Sequence, residues 1–396
     1  MSVRCLFAAA CLFAFTPPVL AAQVNIQVTN SGDSGPGTLR AAILAGNALP
    51  SNDVPNIHID LPEYDPIRLN SSLPVITKRI AIIHGVQSLR SVIDGRGQHQ
   101  IFRIRPPIGS GFGLVRIYHL TLRNGRAVKG ACLSSELDRG MLIVSDMRFR
   151  ECSATPQYGL SPLGGAIFSD GSHVSISDSE FFNNQANGKN AAGGAIYMNG
   201  HQRDSLNIDN STFQGNQTLG TEALPGHGGA IYTFGAPLNM TGSIFRDNEA
   251  SQPASSDPGA PLARGGAIAC RYCSGSVAQN TFTMNQAGQG GAMYITNSAS
   301  GALGMDNNNF VANTADHVGG ALHVFQSSIT ARNNSFFLNT APAGRVLNAD
   351  STVFWFSTSL IAGTAADNWC TASGDSTTVG GVYSLPPTSD CVYSRK

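Results

Sequence analysis

Charged side chains are scarce in this sequence of 396 residues, where Asp, Glu, Lys and Arg together account for 13%. That share is about half of what a soluble domain normally carries. The 25 Lys and Arg balance the 25 Asp and Glu, so the formal net charge is zero. A chain without a basic excess has little with which to hold a phosphate backbone, so we expect no nucleic acid partner.

Long hydrophobic runs are also missing after the first residues, so we expect no transmembrane segment in the mature chain. The exception is residues 1–22, which predict a signal peptide. Arg4 supplies a positive charge, residues 6–15 are apolar but too few to span a bilayer, and small residues follow. We expect cleavage near Ala22 or Gln23, and a secreted or periplasmic protein that can associate with the cell surface.

A sharp catalytic signature is missing as well. A glycoside hydrolase needs two carboxylates close together, yet the acidic residues are scattered. The densest group is Asp170, Asp178, Glu180, Asp204 and Asp209. No set of His and Cys has the spacing of a metal site. We therefore expect no metal and no cofactor, with Ca²⁺ only if the protein is a polysaccharide lyase, and we favour a protein that is not an enzyme.

Glycine is abundant, with 44 residues, and two motifs alternate along residues 164–339. Gly-Gly-Ala followed by an apolar residue occurs at Gly164, Gly193, Gly228, Gly265, Gly290 and Gly319. Phe-x-x-Asn occurs as Phe181/Asn184, Phe213/Asn216, Phe245/Asn248, Phe282/Asn285, Phe310/Asn313 and Phe336/Asn339. Short runs of alternating apolar and polar residues lie between them, which is the pattern of β-strands. Such a unit, without helical periodicity, predicts one coil of a parallel β-helix.

Stacked coils of a solenoid lie about 4.8 Å apart, so equivalent residues lie over one another. We therefore expect the Phe of each coil to form an interior stack and the Asn to form a ladder of amide hydrogen bonds. The Gly pair permits a tight bend. The prediction is an all-β protein with an N-terminal cap at 23–60 that contains a short helix. A parallel β-helix at 61–351 and a C-terminal cap at 352–396 follow.

Six cysteines remain after the signal peptide, an even number that favours disulfides in an exported protein. Sequence proximity suggests the pairs Cys132–Cys152, Cys270–Cys273 and Cys370–Cys391, although other connectivities stay open. The third pair would close the C-terminal cap. Cys270 and Cys273 could also be a redox pair, but they lack the surrounding βαβ pattern of such a site.

The alternating motifs resemble those of the polymorphic outer-membrane protein repeat family of bacteria. Residues 35–43 are similar to the CSLREA-type segment that precedes bacterial right-handed β-helices. The resemblance implies a single-stranded, right-handed, pectin-lyase-like coil and a place at the cell surface or outside the cell. It says little about function, because this fold hosts adhesins, lyases and hydrolases. Adhesins of the family end in an outer-membrane barrel, and we expect this chain to have none of its own.

The strand after each Gly-Gly pair predicts a candidate binding face. Its first residue is apolar in all six copies and should point inward, so the next residue should point outward. Those outward residues are Phe168, Tyr197, Tyr232, Ala269, Tyr294 and His323. Asp170 and Arg271 lie two residues further along the same face. Exposed rings beside polar groups suit a sugar polymer, whereas the alternative is that variable loops cover this face and bury the rings.

We predict a monomeric, non-catalytic bacterial protein that presents an extended, adhesin-like surface to a polysaccharide or a cell-surface protein. A polysaccharide lyase or glycoside hydrolase is the first alternative, and a passive structural protein of the envelope is the second. The predicted ligand-binding residues are Phe168, Asp170, Tyr197, Tyr232, Arg271, Tyr294 and His323.

Overall fold

The computed structural model describes residues 22–109, 111–137, 140–200, 204–254, 257, 259–298, 303–357, 359–362, 369–373, 377–379, 382–385 and 392–394. Residues 1–21, which hold nearly all of the predicted signal peptide, lie outside the described residues. Within the described part of the chain the strands pair in parallel and one helix is present.

Four long parallel sheets contain the described strands. Sheet 1 consists of Gln23–Val28, Val54–Ile59, Ile80–Gly85, Leu114–Tyr118, Gly140–Ser145, Ser172–Ser177, Leu206–Asp209, Leu238–Thr241, Gly275–Ala278, Leu303–Asp306, Ser328–Arg332, Val353–Ser357 and Thr377–Val379. Sheet 2 consists of Ile67–Arg68, Val92–Asp94, Thr121–Arg123, Arg148–Arg150, Glu180–Phe182, Thr212–Gln214, Ile244–Arg246, Thr281–Thr283, Asn309–Val311, Ser335–Phe337, Ser359–Ala362 and Val382–Leu385.

The other two sheets complete the coils. Sheet 3 consists of Arg126–Ala127, Ser153–Ala154, Gln185–Asn187, Gln217–Leu219, Glu249–Ser251, Gln286–Gln289 and Thr314–Val318. Sheet 4 consists of Phe102–Ile104, Leu133–Ser135, Ile167–Asp170, Ile196–Asn199, Ile231–Phe234, Ile268–Arg271, Met293–Thr296, Leu322–Phe325, Leu347–Asp350, Cys370–Ser373 and Val392–Ser394.

One coil of the chain visits the four sheets in a fixed order. Ile167–Asp170 lies in sheet 4, Ser172–Ser177 in sheet 1, Glu180–Phe182 in sheet 2 and Gln185–Asn187 in sheet 3. The chain then returns to sheet 4, and each strand pairs with its equivalent in the next coil. The protein is therefore a parallel β-helix, as predicted, with one continuous core enclosed by the sheets.

The helix Leu39–Ala48 covers the first coil. It begins at the N-cap Thr38, whose hydroxyl accepts a hydrogen bond from the backbone N–H of Ala41 at 3.3 Å. Its apolar face, with Leu39 and Ile43 fully buried, belongs to the same core as the strands. A helix at this place shields the apolar end of the solenoid from water.

A stack of phenylalanine rings runs up the inside of sheet 2. The rings lie nearly parallel, with neighbouring centroids 4.5–5.0 Å apart. The stack consists of Phe149, Phe181, Phe213, Phe245, Phe282, Phe310 and Phe336, all of them buried. The predicted stack is confirmed, and it begins one coil earlier than the repeated motif.

The predicted asparagine ladder is also present, and Asn248 shows its pattern. The Nδ2 of Asn248 donates to Oδ1 of Asn285 and to the carbonyl of Phe213, both at 2.9 Å. The Oδ1 of Asn248 accepts from the backbone N–H and the Nδ2 of Asn216. Equivalent bonds link the ladder residues Asn184, Asn216, Asn248, Asn285, Asn313 and Asn339. Each buried amide thereby uses its neighbours in place of water.

A second ladder, which the sequence analysis missed, lies two residues before each Phe. Asn280 donates through Nδ2 to Oδ1 of Asn308 at 3.1 Å, and Asn308 donates likewise to Asn334 at 2.9 Å. In earlier coils Ser hydroxyls replace the amides, so that the N–H of Ser179 donates to Oγ of Ser211. The sequence contains this pattern, with Ser or Asn two residues before each Phe of the motif. It was missed because the position is not occupied by the same residue type in every coil.

The Gly-Gly pairs make the bend between sheets 3 and 4, and Gly193 and Gly194 show why both must be glycine. Gly193 has a φ of +66°, a conformation that disfavours a side chain. A Cβ on Gly194 would lie 2.0 Å from the carbonyl oxygen of Gly229 in the next coil. The first Gly therefore supplies the turn, and the second allows neighbouring coils to touch.

Disulfides join Cys132 to Cys152 and Cys270 to Cys273, as sequence proximity suggested. Cys152 occupies the Asn position of its coil, and its backbone N–H donates to Oδ1 of Asn184 at 3.0 Å, so the disulfide stands at the start of the ladder. Cys370 is disulfide-bonded as well. Its expected partner, Cys391, lies outside the described residues.

The sheets continue past the last Phe-x-x-Asn motif. Val353–Ser357, Ser359–Ala362 and Cys370–Ser373 pair in parallel with the coil before them, in sheets 1, 2 and 4 respectively. The coil persists without the motifs because parallel pairing requires only extended backbone and an apolar inward face. Ile361 and Ala372 supply that face here.

Candidate ligand-binding site

The predicted binding face lies on sheet 4, and its outward residues pair from coil to coil. The strand register joins Phe168 to Tyr197, then to Tyr232, and onward through Ala269 to Tyr294 and His323. We call this set the ring column: Phe168, Tyr197, Tyr232, Ala269, Tyr294 and His323. The motif spacing alone therefore predicted which residues share one column.

The ring column is not an open ladder. Phe168 is 3% exposed, Tyr294 5% and His323 6%, while Tyr197 and Tyr232 are half-buried. These side chains nevertheless lie outside the interior core, which takes the preceding residue of each strand, such as Ile167. The outward face of sheet 4 is thus largely covered.

The rings cover one another as well. Centroids are 5.5 Å apart between Phe168 and Tyr197, 5.3 Å between Tyr197 and Tyr232, and 4.9 Å between Tyr294 and His323, all in stacked geometry. A ring with a partner on each side offers a ligand only its edge. Flat faces are therefore available only where a stack ends.

Ala269 creates such an end, because its methyl group cannot fill the place of a ring between Tyr232 and Tyr294. A cavity of about 250 Å³ opens there. It is lined by the two tyrosines and by His227, Arg264, Arg271 and Phe325, among others. We call this space the Ala269 gap, and of the predicted residues it brings together Tyr232, Arg271 and Tyr294.

Two arginines border the Ala269 gap. The guanidinium of Arg264 lies 4.9 Å from the centroid of Tyr294, and that of Arg271 lies 5.6 Å from Phe234 and 5.1 Å from Tyr272. Cation–π contacts of this kind hold a guanidinium in place without neutralising its charge. The gap is therefore flat, aromatic and positively charged.

Sequence reasoning missed His227 and Arg264, which immediately precede the Gly-Gly pairs at Gly228 and Gly265. These two residues pair in register across neighbouring coils, so the position before Gly-Gly forms a column of its own. The sequence could have revealed this column, because the position before each Gly-Gly pair recurs as regularly as the pair itself. The residue types there vary from coil to coil, which hid it.

Burial shifts the pKa values of the groups around the gap. Burial, reinforced by Arg264, lowers the pKa of His227 and of His323 to about 4. Burial raises the pKa of Tyr232, against the opposing effect of Arg271 and Arg264. Both imidazoles and the phenol are therefore neutral at neutral pH, and the arginines supply the charge.

The other predicted residues lie away from the Ala269 gap. Phe168 and Tyr197 belong to the stack on one side, with Lys129 over Phe168 at 4.8 Å. His323 is stacked behind Tyr294 on the other side. Asp170 accepts a hydrogen bond from Nδ2 of Asn199 at 2.8 Å and borders a different cavity, beside Arg105.

A larger, open hollow of about 840 Å³ near the N terminus is lined by three carboxylates, Asp33, Asp65 and Asp94. Asp33 is paired with Arg40 at 2.7 Å and Asp94 with Arg123 at 2.9 Å. Although burial acts to raise the pKa of Asp94, hydrogen bonds from Asn124, Arg96 and Arg123 lower it overall. Asp94 is thus held ionised and paired, and a carboxylate in that state does not supply the general acid of a hydrolase.

Comparison with known protein families matched residues 210–233 to the Chlamydia polymorphic membrane protein (Chlamydia_PMP) repeat. The matched segment holds one Phe-x-x-Asn motif, one Gly-Gly-Ala motif and Tyr232 of the gap. This segment of the β-helix is similar to a polymorphic membrane protein repeat, and the similarity suggests a bacterial surface or outer-membrane protein. The searches of curated proteins and of solved structures found no match.

The similarity of residues 35–43 to the CSLREA-type segment stays a prediction. Among the described residues, no helix is long and apolar enough to cross a membrane.

Proposed function

We propose that this protein is an exported bacterial surface β-helix that binds a polysaccharide at the Ala269 gap on sheet 4. The observation that carries the proposal is the break in the ring column, which leaves a flat face of Tyr232 beside a cavity of about 250 Å³. Apolar faces of pyranose rings stack on aromatic rings, while their hydroxyls need donors and acceptors. Asn297 and Thr296 at the gap offer both.

The proposal changes the predicted mode of binding. The sequence predicted an extended ladder of rings, but stacked rings offer only their edges. Sugar units would therefore be held at one site, with the rest of the polymer lying across the neighbouring coils. A monomeric solenoid suffices for such binding, because the gap is built from one chain.

The test is retention of the purified mature protein on a panel of acidic and neutral polysaccharides. Release of reducing or unsaturated ends is recorded in parallel, with and without Ca²⁺. We expect retention without product, weakened about tenfold by Tyr232→Ala, since that variant removes the stacking face. Tyr64→Ala is the matched control, because Tyr64 is 89% exposed near the N terminus.

Two results would reject the proposal. Product release would replace it with the lyase or hydrolase alternative. Absence of retention on every polymer would leave a cell-surface protein as the partner or a passive structural role in the envelope.

A further inference from the structure

The size of the Ala269 gap limits what it can accept. Tyr232 and Tyr294 are two coils apart, about 10 Å at the usual strand spacing, and neighbouring rings of the column are about half that distance apart. This distance accommodates one flat group, and the guanidinium of Arg264, 4.9 Å from the centroid of Tyr294, lies on the Tyr294 side of it. A sugar ring against Tyr232 therefore requires the flexible end of Arg264 to turn outward, toward the edge of the ligand. The cavity of about 250 Å³ is also smaller than the roughly 300–1,000 Å³ that drug-sized ligands occupy.

The charge of the gap limits the ligand further. Within the described part of the chain, neither Arg264 nor Arg271 forms an ion pair, and Arg264 makes one side-chain hydrogen bond, from Nε to Gln289 at 3.4 Å. Asp350 lies one coil beyond His323 and two coils beyond Tyr294, where it places a negative charge near both side chains. Its carboxylate accepts a hydrogen bond from the hydroxyl of Ser351 at 3.2 Å. Two guanidinium groups beside one cavity, without a paired acid, favour an anion.

A third observation is the imidazole of His227. Its Nδ1 is buried and has no hydrogen-bond partner among the residues that the structure describes, and the residue lines the same cavity. A buried polar atom without a partner costs free energy, and a ligand hydroxyl at this place would remove that cost. A sugar ring carries such hydroxyls around its edge.

We propose that the Ala269 gap binds one carboxylated pyranose unit, a uronate. Its flat face lies against Tyr232, its carboxylate is held by Arg264 and Arg271, and a ring hydroxyl meets His227. This inference rests on the proposed function and narrows the polysaccharide to an acidic one. A planar carboxylate suits the guanidinium fork, which forms two parallel hydrogen bonds to it.

The first measurement is calorimetric titration of the mature protein with four monosaccharides: glucuronate, galacturonate, glucose and glucose 6-sulfate. We expect a uronate to bind, and glucose to bind at least tenfold more weakly because it lacks the charge-assisted hydrogen bonds. The sulfated sugar separates a need for charge from a need for a planar carboxylate. Binding of uronate should weaken as salt concentration rises.

Two variants assign the binding to the gap. Ala269→Tyr would complete the ring column and close the gap, with the flexible end of Arg264 displaced outward, and uronate binding should be lost. Arg271→Gln should weaken it about tenfold to a hundredfold. Arg246→Gln is the matched control, because Arg246 lies on sheet 2, exposed and paired with Asp247 at 3.1 Å. If Ala269→Tyr does not fold, Arg271→Gln still decides the question.

The outcomes separate the two proposals. Polysaccharide retention that survives both Ala269→Tyr and Arg271→Gln would overturn the uronate site together with the assignment of glycan binding to the gap, and would place that binding elsewhere on the molecule. Equal affinity for glucose and glucuronate would overturn the anionic ligand while leaving glycan binding at the gap. Failure of every monosaccharide and every polymer would overturn both proposals.

Discussion

At the scale of single residues, this protein repeats a few side chains and departs from the repeat at one informative place. Phe and Asn recur because each Phe ring stacks on the Phe ring of the next coil, and each Asn amide donates a hydrogen bond to the Asn amide of the next coil. The outward column follows the same rule until Ala269, where the absence of a ring creates the only break between its two stacks. The small side chain of Ala269, at a position where the neighbouring coils carry a ring, thus distinguishes the candidate site from the regular part of the column.

His323 predicts a dependence of stability on pH. Its pKa is lowered by burial from 6.5 to about 4, so in the window between these values the unfolded chain binds a proton that the folded chain does not. Stability therefore falls as pH falls through that window, by up to about 1.4 kcal/mol per pH unit for one such histidine. Urea unfolding at pH 7, 6 and 5 measures it.

The control for this effect is His323→Phe, which keeps a ring stacked on Tyr294 and has no titrating group. We expect the variant to show a shallower loss of stability on acidification than the wild type, with His227 retained in both. Identical slopes in the two proteins would show that His323 is not kept neutral by the fold.

At the scale of elements, the bend at each Gly-Gly pair determines how closely coils can approach. Gly194→Ala would place a Cβ 2.0 Å from the carbonyl oxygen of Gly229, and backbone on both sides cannot move away cheaply. We expect a loss of about 3 kcal/mol or more in the free energy of unfolding. Denaturant unfolding of the purified variant measures this loss.

Gly304→Ala is the matched control, because a Cβ there would come no closer than 3.7 Å to any atom. Gly304 lies in a strand of sheet 1, where Ala should be neutral or stabilising by up to about 1 kcal/mol. Equal effects of the two substitutions would mean that the close approach of coils at Gly-Gly is not what requires glycine.

At the scale of the whole molecule, a solenoid is held together by contacts between neighbouring coils. Phe181 and Phe213 occupy the same place in successive coils, so deletion of residues 181–212 removes one coil and joins Glu180 to Phe213 in register. We expect the variant that lacks residues 181–212 to fold, to melt cooperatively and to keep the Ala269 gap intact. Circular dichroism, thermal melting and ligand titration measure these properties.

Deletion of residues 181–211, one residue fewer, is the control. It shifts the strand by one position and turns Phe213 from the interior to the outer face, because side chains alternate along a strand. We expect that variant to be insoluble or to melt far earlier. If both deletions behaved alike, register between coils would not govern folding.

The sequence by itself determined the coil architecture, the Phe stack, the Asn ladder and the membership of the ring column. The Phe stack and the Asn ladder follow from identical residues in each coil, and the ring column follows from a fixed distance to each Gly-Gly pair. Stacking then brings equivalent positions of successive coils into contact. The second ladder was missed because Ser and Asn share its position, although the side-chain oxygen of either residue accepts a hydrogen bond from the backbone N–H of the preceding coil.

Only the tertiary structure decided which ring faces are covered and which rings lie beside the charged guanidinium groups. Burial of Phe168, Tyr294 and His323 depends on their neighbours in adjacent coils and on what covers sheet 4 from outside, neither of which has a fixed spacing in the sequence. The meeting of Arg264, Arg271 and Tyr294 joins residues of two coils around a missing side chain. A repeat pattern predicts the residues that recur in every coil, whereas this site is formed by Ala269, Arg264 and Arg271, which do not recur.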